Sequence, residues 1–200
     1  EVFSNSNSSF SVVNHRLVGG GVIHLECPKN RRGLGEPDMI ILHYTAGMDA
    51  MSSAKFLVKP DVKASAHVVI GRDGQVIQMV PFNIEAWHAG KSSYRGRNEL
   101  NHYSIGIELD NLGQLRLEGG KFVAECGKEV PVKEVYTEDS GEEPTYWHDY
   151  TDRQMRVLNE VCSVLVDAYP IGDIVGHSDV TPRKVDPGPA LRVAEWIQYY

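Results

Sequence analysis

The chain has 200 residues, 42% hydrophobic and 24% charged, and its 20 Lys and Arg against 27 Asp and Glu leave a formal charge of −7. That length and composition suit one ordinary globular domain, and the acidity argues against a nucleic-acid partner or a polybasic membrane anchor, both of which need a basic face. No transmembrane segment is expected: the longest apolar candidate, 161–168, is broken by Ser163 and Asp167 and falls well short of the ~18 residues a spanning helix needs.

Residues 4–14 are rich in Ser and Asn and read as a flexible arm. Residues 19–37 carry Gly19, Gly20, Gly21, Pro28, Gly33, Gly35 and Pro37, a loop composition with one short strand at Val22–Leu25. Residues 1–38 are thus expected to be an N-terminal arm and loop, with the ordered domain at 39–200. Met39–Leu42 is too short an apolar run for a helix and reads as a buried strand, ending in His43-Tyr44-Thr45-Ala46-Gly47. A helix is expected over 50–58. Ala66–Ile70 and Gln75–Val80 flank an Asp73-Gly74 turn and form a hairpin. Ser104–Leu109 is a strand with Ile105, Ile107 and Leu109 on one face.

Residues 113–149 read as an inserted excursion, a solvated loop with at most one hairpin, because five acids and no Lys or Arg fall between Glu134 and Glu143. Thr151 and Gln154 match a capping box, and Met155, Leu158, Val161, Cys162, Leu165 and Ala168 continue at helical spacing, predicting a helix over 152–168. Asp173–His177 is a short strand, and 190–199 a final helix. The alternation gives an α/β fold: a single domain with a mixed central β-sheet covered by helices. Cys27, Cys126 and Cys162 show no CxxC spacing, which argues against a Cys-type zinc knuckle and leaves pairing and redox compartment open.

Among eight His, His43 and His177 each follow a short apolar strand, where helix-covered sheets open into a crevice. Asp186 follows nine residues after His177, stiffened by Pro187 and Pro189. Two imidazoles and a carboxylate leave a fourth position for water on zinc, whose pKa the metal brings down from 15.7 to about 7. Spacing alone leaves this metal site and a purely structural role both open. Glu108 points away from the apolar face of its strand, as a solvated carboxylate or as a general base. Lys184 shares a face with Asp186 in an extended segment, as a surface cation or as an oxyanion stabiliser.

Six stretches together resemble a known family: Ile41–Gly47, Ser65–Pro81, Ala86–Gly90, Gly96–Asn111, Tyr150–Gln154 and Gly176–Pro189. In order, they are similar to the zinc-dependent N-acetylmuramoyl-L-alanine amidases, the AmpD-like group related to phage amidase lysozymes and peptidoglycan recognition proteins. The resemblance implies hydrolysis of the amide between the lactyl group of N-acetylmuramic acid, or of its 1,6-anhydro form, and L-alanine of the stem peptide. It implies Zn²⁺ held by His43, His177 and Asp186, with Glu108 as general base and Lys184 as oxyanion stabiliser. It places Tyr44, Lys63, Trp87, His88, Arg97 and Asn111 on the substrate, a peptidoglycan chain or muropeptide, and His67 in a structural role. Lys63 stands where some relatives carry Arg, so the resemblance leaves stem-peptide preference open. An Asp third ligand is the AmpD-like choice.

The same fold also serves as a non-catalytic recognition module, but that class usually lacks a zinc ligand, and all three are here. A stem-peptide zinc peptidase is disfavoured because no HExxH stretch exists. A monomer is the default expectation. The start at Glu1 and the Ser/Asn-rich arm favour an exported protein with its leader removed, periplasmic or extracellular, over a cytoplasmic one.

Overall fold

The computed structural model describes residues 8–141 and 143–192. The chain opens with a hairpin of β1 (Phe10–Val13) and β2 (Arg16–Gly19), followed by β3 (Ile23–His24), β4 (Met39–Tyr44) and helix α1 (Ala50–Leu57). Next come β5 (Val68–Ile70), β6 (Val76–Gln78), a ribbon of β7 (Ser93–Tyr94) and β8 (Arg97–Asn98), and β9 (Ser104–Leu109). Residues 114–148 supply β10 (Gln114–Glu118), β11 (Lys121–Ala124), β12 (Glu129–Val130), β13 (Val135–Glu138) and β14 (Thr145–His148). The long helix α2 (Asp152–Ala168), β15 (Asp173–Gly176) and the single turn α3 (His177–Val180) follow.

The central sheet runs β15-β4-β9-β5-β6-β3. All its pairs are parallel except the β5–β6 hairpin, which turns through Asp73-Gly74 with Gly74 at φ +85°. Alternation along the strands divides the two faces. Ile40 and Leu42 of β4, Ile105, Ile107 and Leu109 of β9, and Ile174 of β15 pack with Val157, Leu158, Val161, Cys162 and Leu165 of α2. The opposite face carries Met39, Ile41 and Val175 against Leu100 and Val180, and Val69 and Ile77 against Ala50 and Ala54 of α1. His43, Glu108 and His177 share the parity of this second face, so the sheet itself sends all three to one side.

The expected mixed sheet with helices is present, and the 39–42, 50–58, 66–80, 104–109 and 152–168 elements stand close to their predicted bounds. Two readings are corrected. The arm, of which residues 4–7 lie outside the described residues, forms a hairpin: Phe10 and Leu17 are buried in the α2 core, and Asn14 and His15 both take positive φ in a two-residue turn. The outward Ser and Asn of that hairpin masked a pattern resting on only two inward side chains. The excursion is a second, five-stranded antiparallel sheet, β12-β11-β10-β14-β13, with its own small core of Leu112, Leu115, Ala124 and Val130. The acidic run hid β13, whose polar residues face solvent.

The capping box of α2 is half made. Thr151 Oγ1 accepts from the Gln154 amide at 3.1 Å, but the Gln154 side chain turns inward and donates to the carbonyls of Ile70 and Asp110, both at 3.0 Å. Ala168, expected on the apolar face, is exposed. The expected helix at 190–199 lies largely outside the described residues; Pro189–Leu191 form a 3-10 turn.

Candidate active site

Register builds the site. In the parallel β4–β9 pair His43 lies directly beside Glu108, and β15 runs in register with β4 so that His177 follows alongside His43. Asp186 returns on the loop after α3, tied to it by the Ser178 N–H donating to the Asp186 carbonyl at 2.9 Å. The Tyr150 hydroxyl donates to the Pro187 carbonyl at 2.8 Å and holds that loop from the α2 side.

Three ligand-type atoms converge. His43 Nδ1 lies 3.1 Å from His177 Nδ1 and 3.0 Å from Asp186 Oδ2, and His177 Nδ1 lies 2.9 Å from the same oxygen. All three residues are buried, and among the described residues they are the group that could hold a metal ion. The geometry fits: a tetrahedral ion about 2.0–2.1 Å from each ligand separates ligand atoms by about 3.3 Å. A triad without a fourth protein donor is the pattern of a catalytic rather than a closed structural site. Burial pushes the His43 imidazole towards its neutral, ligating form. Burial pushes the Asp186 carboxyl up, but hydrogen bonds with His177 and His43 outweigh it and hold that group well below the usual range.

Glu108 is half-buried, its Oε2 shut off from solvent with no hydrogen-bond partner among the described residues. Burial, then the Asp186 charge, push its carboxyl up to about 8, against the pull of Lys184. The same residues line a cleft of about 380 Å³ with Tyr44, Trp87, His88, Arg183 and Lys184.

The sequence signature of the family described as N-acetylmuramoyl-L-alanine amidase matches residues 33–189. The chain belongs to this amidase family. It is 33% identical over 159 residues to the 1,6-anhydro-N-acetylmuramyl-L-alanine amidase AmpD of Escherichia coli strain K12, a match covering 78% of this chain and 67% of that protein. A crystal structure of a selenomethionine AmpD derivative superposes with a TM-score of 0.63 at 27% identity, over 94% of this chain and 97% of that one. The E. coli amidase AmiD, solved with the substrate anhydro-N-acetylmuramic acid-L-Ala-D-gamma-Glu-L-Lys, gives 0.62 at 25% identity, over 96% of this chain and 66% of that one.

Not every residue that the amidase resemblance assigned stands at the cleft. Tyr44 does, its ring seated over Gly113, where a Cβ would come within 2.6 Å, and burial followed by the Asp186 charge pushes its hydroxyl up to about 12. Trp87 does too, 37% exposed. His88 borders the cleft but is buried behind His43, its ring nitrogens engaged by His43 and Ser104. Lys63 is exposed and off the cleft lining. Arg97 pairs with Asp38 at 2.6 Å and stacks on Tyr103, away from the triad. Asn111 is buried and structural: its amide donates to the His148 carbonyl and accepts from the Gly113 N–H. Neither Arg97 nor Asn111 lines the cleft, and each has an internal partner.

His67 is structural as expected, receiving the Gly106 N–H on Nδ1 and meeting the Ile84 carbonyl through Nε2. Burial pushes its imidazole down to about 4. Sequence reasoning missed Arg183, which lines the cleft beside Lys184; adjacency in Arg183-Lys184 was the available signal. No helix among the described residues is long and apolar enough to cross a membrane. Cys27, Cys126 and Cys162 are all free thiols.

Proposed function

We propose that the chain is a zinc-dependent N-acetylmuramoyl-L-alanine amidase that cleaves the amide between the lactyl group of N-acetylmuramic acid and L-alanine of a stem peptide. The observation that carries this is the convergence of His43 Nδ1, His177 Nδ1 and Asp186 Oδ2 beside an unpartnered Glu108 carboxyl. His43, His177 and Asp186 hold Zn²⁺, the ion suited to an N₂O triad with an open position. Zinc supplies Lewis acidity, which polarises a carbonyl and makes water nucleophilic near neutral pH.

The chain's own groups do the rest. Glu108 takes the proton of the attacking water; the water oxygen bonds to the lactyl carbonyl carbon, and Glu108 passes that proton to the departing alanine nitrogen as the C–N bond breaks. Lys184, whose charge already reaches Glu108 and His43, offsets the negative charge developing on the carbonyl oxygen. Trp87 and Tyr44 give the sugar and lactyl group a flat wall, and Arg183 adds a second cation for the acidic stem peptide.

The 1,6-anhydro form is the favoured substrate, because AmpD carries it in its name and AmiD is solved with an anhydro-muramyl peptide. The test is digestion of anhydro-muramyl tripeptide and of intact wall glycan in parallel, read by mass spectrometry. Release of a stem peptide with a free N-terminal L-alanine, faster from the anhydro substrate, is expected. Binding of either without release would instead identify a recognition module.

A further inference from the structure

The two histidines of the triad are served from outside by one short segment. His177 Nε2 meets the Ala89 carbonyl at 3.3 Å, and His43 Nε2 meets the His88 ring at Nδ1 at 3.0 Å. A carbonyl only accepts, so His177 carries its proton on Nε2 and leaves Nδ1 bare. The direction of the His43–His88 bond follows from the next residue along. Ser104 donates its hydroxyl to the Leu100 carbonyl at 2.7 Å. Having spent its hydrogen, Ser104 Oγ can only accept from His88 Nε2, 3.3 Å away. A neutral His88 then has a bare Nδ1, which accepts from the His43 Nε2–H, and His43 Nδ1 is left bare towards Asp186 and His177.

The frame is built in, not incidental. Ser104, Gly106 and Glu108 alternate onto one face of β9. Gly106 makes room for the imidazole: a Cβ there would lie 2.4 Å from His88 Cγ. Asn101 Oδ1 accepts from the backbone N–H of His88 at 3.1 Å and of Ala89 at 2.8 Å, pinning both halves of the segment with one atom. Outer hydrogen bonds of this kind orient metal-ligating histidines and fix their tautomers.

We propose that His88 and the Ala89 carbonyl, pinned by Asn101 and given their direction by Ser104, form a positioning frame that keeps both ligating Nδ1 atoms bare and aimed at the metal. The frame makes His88 a positioning residue for the metal site instead of a substrate contact, and it rests on the metal site proposed above. It is tested by zinc affinity in competition with a chromophoric chelator, measured for the wild type, His88→Leu, His88→Asn and Ser104→Ala. His88→Leu should lose about 10–100-fold in affinity. His88→Asn should recover most of that loss, since its amide oxygen can accept in place of Nδ1. Ser104→Ala, which removes a single buried hydroxyl, should fall between the wild type and His88→Leu.

Nitrogen-15 NMR of the zinc-loaded protein should place the His88 proton on Nε2. Wild-type affinity in folded His88→Leu and in Ser104→Ala, no advantage of Asn over Leu, or a His88 proton on Nδ1 would each overturn the frame. If His88→Leu does not fold, Ser104→Ala and the NMR readout decide. A wild type that binds no zinc would instead overturn the metal site itself, which keeps the two failures apart.

Discussion

At the scale of single residues, burial sets the titration of Glu108. Its carboxyl stands near 8 in the zinc-free fold against an ordinary value of 4.5. A raised carboxyl pKa means the folded chain holds a proton that the unfolded chain has released, so stability falls as pH rises from 4.5 to 8. Glu108→Gln removes that slope. In zinc-free protein, thermal unfolding should show no advantage for the variant below pH 4.5 and one growing to the order of 2–4 kcal/mol by pH 8. A variant that melts in parallel with the wild type across that range would contradict the burial argument. In the zinc-loaded enzyme the same variant should keep its metal and lose about 10²–10⁴ in turnover. Lys184→Ala should also stay zinc-loaded and lose about 10²–10³ in turnover, as separate metal analysis and kinetics would show.

In the sequence, the positions of His43, His177 and Asp186 after short strands and beside prolines hinted at a metal site, but spacing left Glu108 and Lys184 open between ordinary surface charges and catalytic groups, and only the family resemblance gave them roles. Arg97 and Asn111 could not be placed from the sequence, because a polar residue near a motif looks the same whether its partner is substrate or another group of the protein. Only the fold reveals that Asp38 and the His148 carbonyl already occupy them.

At the scale of elements, β9 carries the most information per residue. One face supplies Ile105, Ile107 and Leu109 to the core; the other supplies a hydroxyl, a space and a carboxylate. Gly106→Ala should therefore harm more than a methyl group normally does on a strand. It drives a Cβ into the His88 ring, so both the melting temperature and zinc retention against chelator should fall, whereas an unchanged melt would show that the ring can move aside. Helix α2 presents a different lesson. Its bounds followed from apolar spacing, but Gln154 looked like a capping residue and is instead fully buried, tying β5 and the end of β9 to the helix through two carbonyls. Gln154→Leu strands the Asp110 carbonyl, while the Ile70 carbonyl keeps the Asp110 N–H at 2.9 Å, and should cost about 1–3 kcal/mol, read by denaturant unfolding. Thr151→Ala should cost only about 1 kcal/mol. Equal losses would put Gln154 back in the role of a cap.

At the scale of the whole molecule, two sheets share the site. The central sheet delivers His43, Glu108 and His177, while the second sheet backs the Asp186 loop: Gly188 lies so close to Trp147 of β14 that a Cβ would come within 2.6 Å of its ring. That second sheet was invisible in the sequence because its strands are short and its core rests on Leu112, Leu115, Ala124 and Val130 among acidic and polar neighbours. Because the triad joins β4, the β15–α3 corner and the loop behind them, zinc should stabilise the entire fold. At a free zinc concentration 100 times the dissociation constant the gain is about 2.7 kcal/mol, or about 5–10 °C in melting temperature for a domain of this size. Asp186→Ala should abolish that shift.

The most direct test is a zinc titration of chelator-stripped protein, following release of free L-alanine amine from an anhydro-muramyl peptide. Release should be absent at first and climb to a plateau at one zinc per chain, with Asp186→Ala silent throughout. Release unaffected by stripping, or none at any zinc concentration, would contradict the assignment of His43, His177 and Asp186 as the metal-holding centre of an amidase.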